Sequence, residues 1–171
     1  MNDLPWSDPV RLSEVGRGPQ RRQLTADAAA RARIAAALNL EDLPELEAEV
    51  ELQSWLDGVA LKASWRARAV QTCGVTLEPF ETALSGRFEV QAVPADSPLA
   101  QQAEGGEVEL SLDAPDPPDV LETDRVDPAA YVVEHLALEI DPFPRKPGAE
   151  FEPPEAEPEA SPFATLLQLK P

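Results

Sequence analysis

At 171 residues the chain is long enough for one ordinary domain with some length left for loops and a tail, and too short for two full domains. Its single cysteine, Cys73, excludes an intrachain disulfide and a cysteine-rich zinc site built by one chain. The formal net charge of −18, from 14 Lys and Arg against 32 Asp and Glu, repels phosphate backbones at long range and so disfavours unaided, nonspecific binding of nucleic acid.

The opening Met1-Asn2-Asp3-Leu4-Pro5-Trp6 lacks the basic head and apolar run of a secretory signal. No later stretch approaches the roughly 20 apolar residues of a membrane helix. A cytoplasmic protein without a membrane partner is the expectation. Val10-Arg11-Leu12 reads as a short strand, Arg17-Gly18-Pro19-Gln20 breaks it, and Arg22 to Thr25 reads as another. From Ala26 to Leu38 a run of alanines, with Ile34, Ala35 and Leu38 on one stripe, predicts a helix capped by Thr25 or Asp27.

The clearest pattern follows. Leu46, Ala48, Val50 and Leu52 alternate with Glu47, Glu49, Glu51 and Gln53, which describes a strand with one buried face. A turn containing Asp57-Gly58 leads to Val59, Leu61, Ala63, Trp65, Ala67 and Ala69, alternating with Lys62, Ser64, Arg66 and Arg68, so the two strands form a hairpin. Antiparallel pairing then sets Glu51 near Lys62 and Glu47 near Arg66, which fixes the register by charge as well as by burial. On this reading Lys62, Arg66 and Arg68 are structural first; the alternative is a basic binding patch, since surface pairs are weak enough to be exchanged for a ligand. Phe80, Thr82, Leu84, Gly86, Phe88, Val90 and Ala92 continue the alternation in a third long strand.

Residues 94 to 124 lose this periodicity and read as a mobile acidic excursion, with one short strand at Glu107 to Leu112. Asp127-Pro128 then supplies a cap and a proline at the first helical position. Ala129, Val132, Val133, Leu136 and Ile140 form the apolar face of that helix, which stops at Asp141-Pro142. Residues 152–171 are set apart as a disordered acidic Pro/Glu-rich tail, because such a composition buries too little apolar area to offset the entropy of ordering. It ends in an apolar motif in which Phe163, Leu166 and Leu167 are docking candidates, either for a partner or back onto the chain's own domain. The predicted architecture is α+β: a single domain over residues 1–151, with an antiparallel sheet able to close into a barrel-like shape and two helices packed on it.

Chemistry is scarce. There is one Cys, one His and one Tyr, no glycine-rich phosphate loop, and no paired-histidine metal spacing. Cys73 reads as a small buried hydrophobe or turn residue rather than a nucleophile, and a catalytic Cys73 would require an unusually low thiol pKa. His135, beside the apolar stripe of its helix, reads as a packed side chain. No cofactor, metal or catalytic residue is assigned.

Arg145-Lys146 stands out, two cations on a rigid mount between Pro144 and Pro147 with no other positive charge nearby in sequence. Together with Phe143, Arg66 and Arg68 they are the candidates for contact with a partner or with RNA. The competing reading has them neutralise acids such as Glu150 and Glu152, or the carbonyl end of the helix.

Three segments carry a family likeness: Val70-Gln71-Thr72-Cys73-Gly74-Val75-Thr76-Leu77-Glu78-Pro79-Phe80, the run from Glu134-His135-Leu136 through Asp141-Pro142-Phe143-Pro144-Arg145-Lys146-Pro147-Gly148-Ala149-Glu150-Phe151, and Ser161-Pro162-Phe163-Ala164. With Trp6-Ser7-Asp8-Pro9-Val10, these resemble the YceD-like proteins, known in bacteria as large ribosomal RNA subunit accumulation proteins, and most of all their alpha-proteobacterial type. Many members carry Cys-x-x-Cys where this chain has Cys73-Gly74-Val75-Thr76, so Thr76 stands in place of a second thiol. The resemblance implies a role in large-subunit ribosomal RNA accumulation during ribosome assembly, with no catalytic activity attached.

Charge adds a preference about partners. Residues 1–80 hold 9 basic and 12 acidic side chains and residues 81–171 hold 5 and 20, so the second half carries a net −15. Such a half favours a basic ribosomal or assembly protein, with ribosomal RNA protected as a consequence and no DNA bound. The alternative is an acidic adaptor or nucleic-acid mimic whose basic partner is unrelated to ribosomes.

Overall fold

The computed structural model describes residues 4–100 and 117–151. Its centre is a five-stranded sheet ordered β2-β3-β4-β5-β6, built from β2 (Gln20–Thr25), β3 (Asp42–Trp55), β4 (Gly58–Thr72), β5 (Pro79–Pro94) and β6 (Asp119–Leu121). A second, two-stranded sheet pairs β1 (Val10–Arg11) with β7 (Arg125–Val126). The α+β class with a mainly antiparallel sheet is as expected. Two features differ from the sequence reading. Among the described residues the sheet is open, with β2 and β6 at its edges, so no barrel closes; and β6 runs parallel to β5 through Ala92, Val93 and Pro94. β6 lies inside the stretch 94–124 read above as an excursion. The strand expected at Glu107 to Leu112 and the tail motif at Phe163, Leu166 and Leu167 fall outside the described residues.

The alternation of β3 and β4 does what the sequence demands. Leu46, Ala48, Val50 and Leu52 pair with Ala67, Trp65, Ala63 and Leu61, all of them buried, while Glu47 faces Arg66 and Glu51 faces Lys62 in the same register. The ion pairs spread beyond this hairpin, because β4 has acids on both sides. Lys62 bonds Glu89 of β5 at 3.1 Å and Glu51 bonds Arg21 of β2 at 3.6 Å, so one row of alternating charge crosses four strands. Gly86 of β5 lies opposite Trp65, and the indole covers it: a Cβ there would come within 2.8 Å of the ring.

Helix α2 (Ala28–Ala37) is capped by Asp27, whose carboxylate accepts the amide of Ala30 at 2.7 Å, which settles the choice between Thr25 and Asp27. It ends where Asn39 takes a left-handed conformation (φ 54) and Leu40 N–H reaches back to Ala35 O. Helix α3 (Pro128–Glu139) starts on Asp127, which accepts the amides of Ala129 and Ala130. The same carboxylate also binds Ser7 Oγ and the amide of Asp8, and Asp8 in turn takes Arg22, so the leading segment is tied to both α3 and β2. A helical turn absent from the sequence reading, α1 (Leu12–Val15), follows β1 directly, so Leu12 belongs to it rather than to the strand. Both longer helices cover the apolar face of the sheet. Ile34 of α2 and Leu136 of α3 are fully buried in one cluster with Leu43, Leu46, Leu52 and Leu61.

The β3–β4 turn contains Asp57-Gly58 as expected and has Leu56-Asp57 as its central pair. Trp55 pairs with Gly58, and Leu56, 71% exposed, holds a φ of 52. A leucine gains nothing from that exposure and pays the left-handed penalty of about 1 kcal/mol. Leu56→Gly should therefore stabilise the protein, raising Tm by about 2–4 °C in a thermal melt followed by circular dichroism. A lower Tm would show that the turn is held by the leucine side chain.

Candidate functional site

The segments singled out for Cys73 and for Arg145-Lys146 meet in space. β4 ends at Thr72, and the chain reverses through Cys73 to Glu78 before β5, closed by Cys73 N–H to Glu78 O and Leu77 N–H to Cys73 O, both at 2.9 Å. The loop after α3 docks on this turn through three further bonds. Gln71 Nε2 donates to Asp141 O at 3.0 Å, Gly74 N–H donates to Pro144 O at 2.9 Å, and Lys146 N–H points at Cys73 Sγ at 3.4 Å.

Cys73 is the hub of this knot and is completely buried. Its sulfur receives the amides of Val75 at 3.4 Å and Thr76 at 3.5 Å as well as that of Lys146. Donors that converge on sulfur stabilise the thiolate over the thiol. The Thr76 hydroxyl has the largest influence, the amides of Lys146 and Thr76 follow, and together they pull the thiol pKa down to about 6 against the opposing effect of burial. The residue standing in place of a second thiol is thus the one that most favours charge on the first.

Lys146 adds its side chain to the same place. Its ammonium binds Glu78 at 2.8 Å, which holds the Glu78 carboxyl below the usual range and raises Lys146. Neutralisation by an acid holds for Lys146, but the acid is Glu78 across the fold and not Glu150; Glu152 lies outside the described residues. The knot leaves Phe143 80% exposed, and Arg145 forms no ion pair among the described residues.

Arg66 and Arg68 lie elsewhere, on the outer face of the sheet, and are not brought to this site. Arg66 is paired with Glu47 and Glu45, and Arg68 with Glu45 and Glu81. His135 is packed as expected, its ring stacked on Phe88 with centroids 3.8 Å apart. The sequence reading did not foresee Glu78 or Gln71 as parts of the site. Glu78 sits in the quoted turn segment, but its partner is 68 residues away and no local pattern connects them.

Among the described residues no group of three or more His, Cys, Asp and Glu side chains is gathered as metal ligands, and no helix is long and apolar enough to cross a membrane. An open sheet with helices on one face and paired charges on the other, closed at one end by a buried sulfur, defines a small α+β protein. The sequence model of the YceD family, described as large ribosomal RNA subunit accumulation protein YceD, matches residues 61–170, from the second hairpin strand through the knot to the tail, and the chain belongs to that family. No curated protein and no solved structure matches it.

Proposed function

We propose that the protein supports accumulation of large-subunit ribosomal RNA during ribosome assembly by binding a basic ribosomal or assembly protein, without catalysing a reaction. Membership of the family supports the link to large-subunit ribosomal RNA accumulation. The observation that supports the choice of partner is that Arg66, Arg68 and Lys146, three of the four cations named from the sequence as candidates for contact with RNA, are each engaged by glutamates. A cation already paired on the surface has less to offer a phosphate, whereas the net −15 of the second half is an open field for a basic surface. Arg145 and Phe143 remain as the contact pair at the knot.

The lowered thiol pKa of Cys73 is a property a nucleophile would need, yet the sulfur has no exposed surface and three amides point at it. That environment suits a structural anion better than an attacking group. The test is crosslinking in cells with identification of both protein and RNA adducts, paired with depletion. Crosslinks to basic large-subunit proteins, and a selective fall in large-subunit RNA on depletion, are the expected results. Tight binding of bare ribosomal RNA at physiological salt, or crosslinks from Arg145 to RNA alone, would overturn the indirect route.

A further inference from the structure

Among the described residues, one side of the sheet's apolar face is thinly covered. Strand β5 pairs with β4 along its whole length, but among the described residues its other edge meets β6 only at Ala92, Val93 and Pro94. On the inner side of β5, Phe80, Leu84 and Phe88 stay half-buried, in contrast to their fully buried counterparts on β3 and β4. Helix α3 reaches this side through His135, stacked on Phe88. One turn further along the same side of the helix, Leu138 is 78% exposed. Phe80, Leu84 and Phe88 thus line one side of β5 as a partly exposed apolar strip, with Leu138 exposed on the helix that touches it.

We propose that the strip is the docking site of residues 163–169 of the same chain, with Phe163, Leu166 and Leu167 as the inserted side chains. Spaced i, i+3 and i+4, these three would share one face if the segment turned helical, and a piece that short would hold such a shape only against a surface. The chain leaves the described structure at Phe151, five residues after Lys146, which is fixed to Glu78 beside the start of β5. Residues 152–162 then form a tether that spans at most about 36 Å, while the distance from Phe80 to Phe88 along β5 is about 26 Å. The whole strip is within reach. Linkage of this kind gives an effective concentration on the order of millimolar, enough for a weak apolar contact to be occupied without any partner.

The proposal is independent of the identity of the ribosomal partner, and the full-length chain tests it. A nitroxide attached through Lys170→Cys labels the segment beyond its docking residues, because the buried Cys73 is shielded from the reagent. Paramagnetic broadening concentrated on the amides of residues 80–88 and 135–139, and lost when Phe163→Ala and Leu167→Ala are added, is the expected result. Even broadening over the surface, or none, would overturn the proposal. So would equal broadening when the isotope label and the nitroxide are on different chains, which would identify a second copy as the occupant.

Discussion

Gly58→Ala is expected to cost more than about 3 kcal/mol of stability, moving the urea midpoint down by roughly 1–2 M. The reason is not the turn. Gly58 does not hold a left-handed conformation, but β5 crosses so closely that a Cβ would stand 2.0 Å from the carbonyl oxygen of Ala92 and 2.9 Å from Val93 Cα. Both are backbone atoms at the end of β5 that also carries β6, so relief requires a shift of two strand pairings. Leu56→Gly, one turn residue away, is the control because it changes the loop without touching this contact. A midpoint within error of the native protein would mean that β5 approaches β4 less closely than the structure has it.

The second large effect concerns the knot. Cys73→Ala removes the shared acceptor of three part-buried amides from two distant segments and opens a small void at a fully buried position, so Tm should fall by about 5–10 °C. Cys73→Ser, which keeps an acceptor, should fall less. The pH dependence is the sharper reading. The thiol titrates near its ordinary value of 9.0 when unfolded and is lowered to about 6 in the fold, so between these values the unfolded chain holds about one proton more. Stability from this group is fully present above pH 9.0 and is lost as pH falls through about 6. The native protein should therefore gain stability as pH rises from about 6 to 9.0, with a slope approaching one proton, and the Cys73→Ala and Cys73→Ser variants should lack that component. Equal slopes in chemical denaturation of native protein and variants would mean that Cys73 stays protonated in the fold.

Much of the fold was legible because it is written in local periodicity. A strand whose apolar residues recur every second position has one choice of buried face, and Glu47 with Arg66 and Glu51 with Lys62 then leave one register for β3 and β4. Asp127-Pro128 announces α3 by the same kind of local logic, since a carboxylate is needed for free amides and a proline has no amide to lose. α1 and β6 are too short to generate a period, which is why they escaped.

The sequence by itself determined the pairing of β3 with β4, the start of α3, the excess of acid in the second half and the family to which the chain belongs. Only the tertiary structure decided what the notable residues do. Gly58 is a glycine because another strand passes it, Lys146 is neutralised by a glutamate in a distant turn, and the Cys73 sulfur accepts the amide of a residue 73 positions away. The physical reason is the range of the forces concerned. Side-chain alternation and capping act within a turn or a strand and leave a trace in neighbouring letters. A steric approach, an ion pair or a convergence of amides depends on how a sheet and a helix come together, and segments far apart in sequence carry no mark of that meeting.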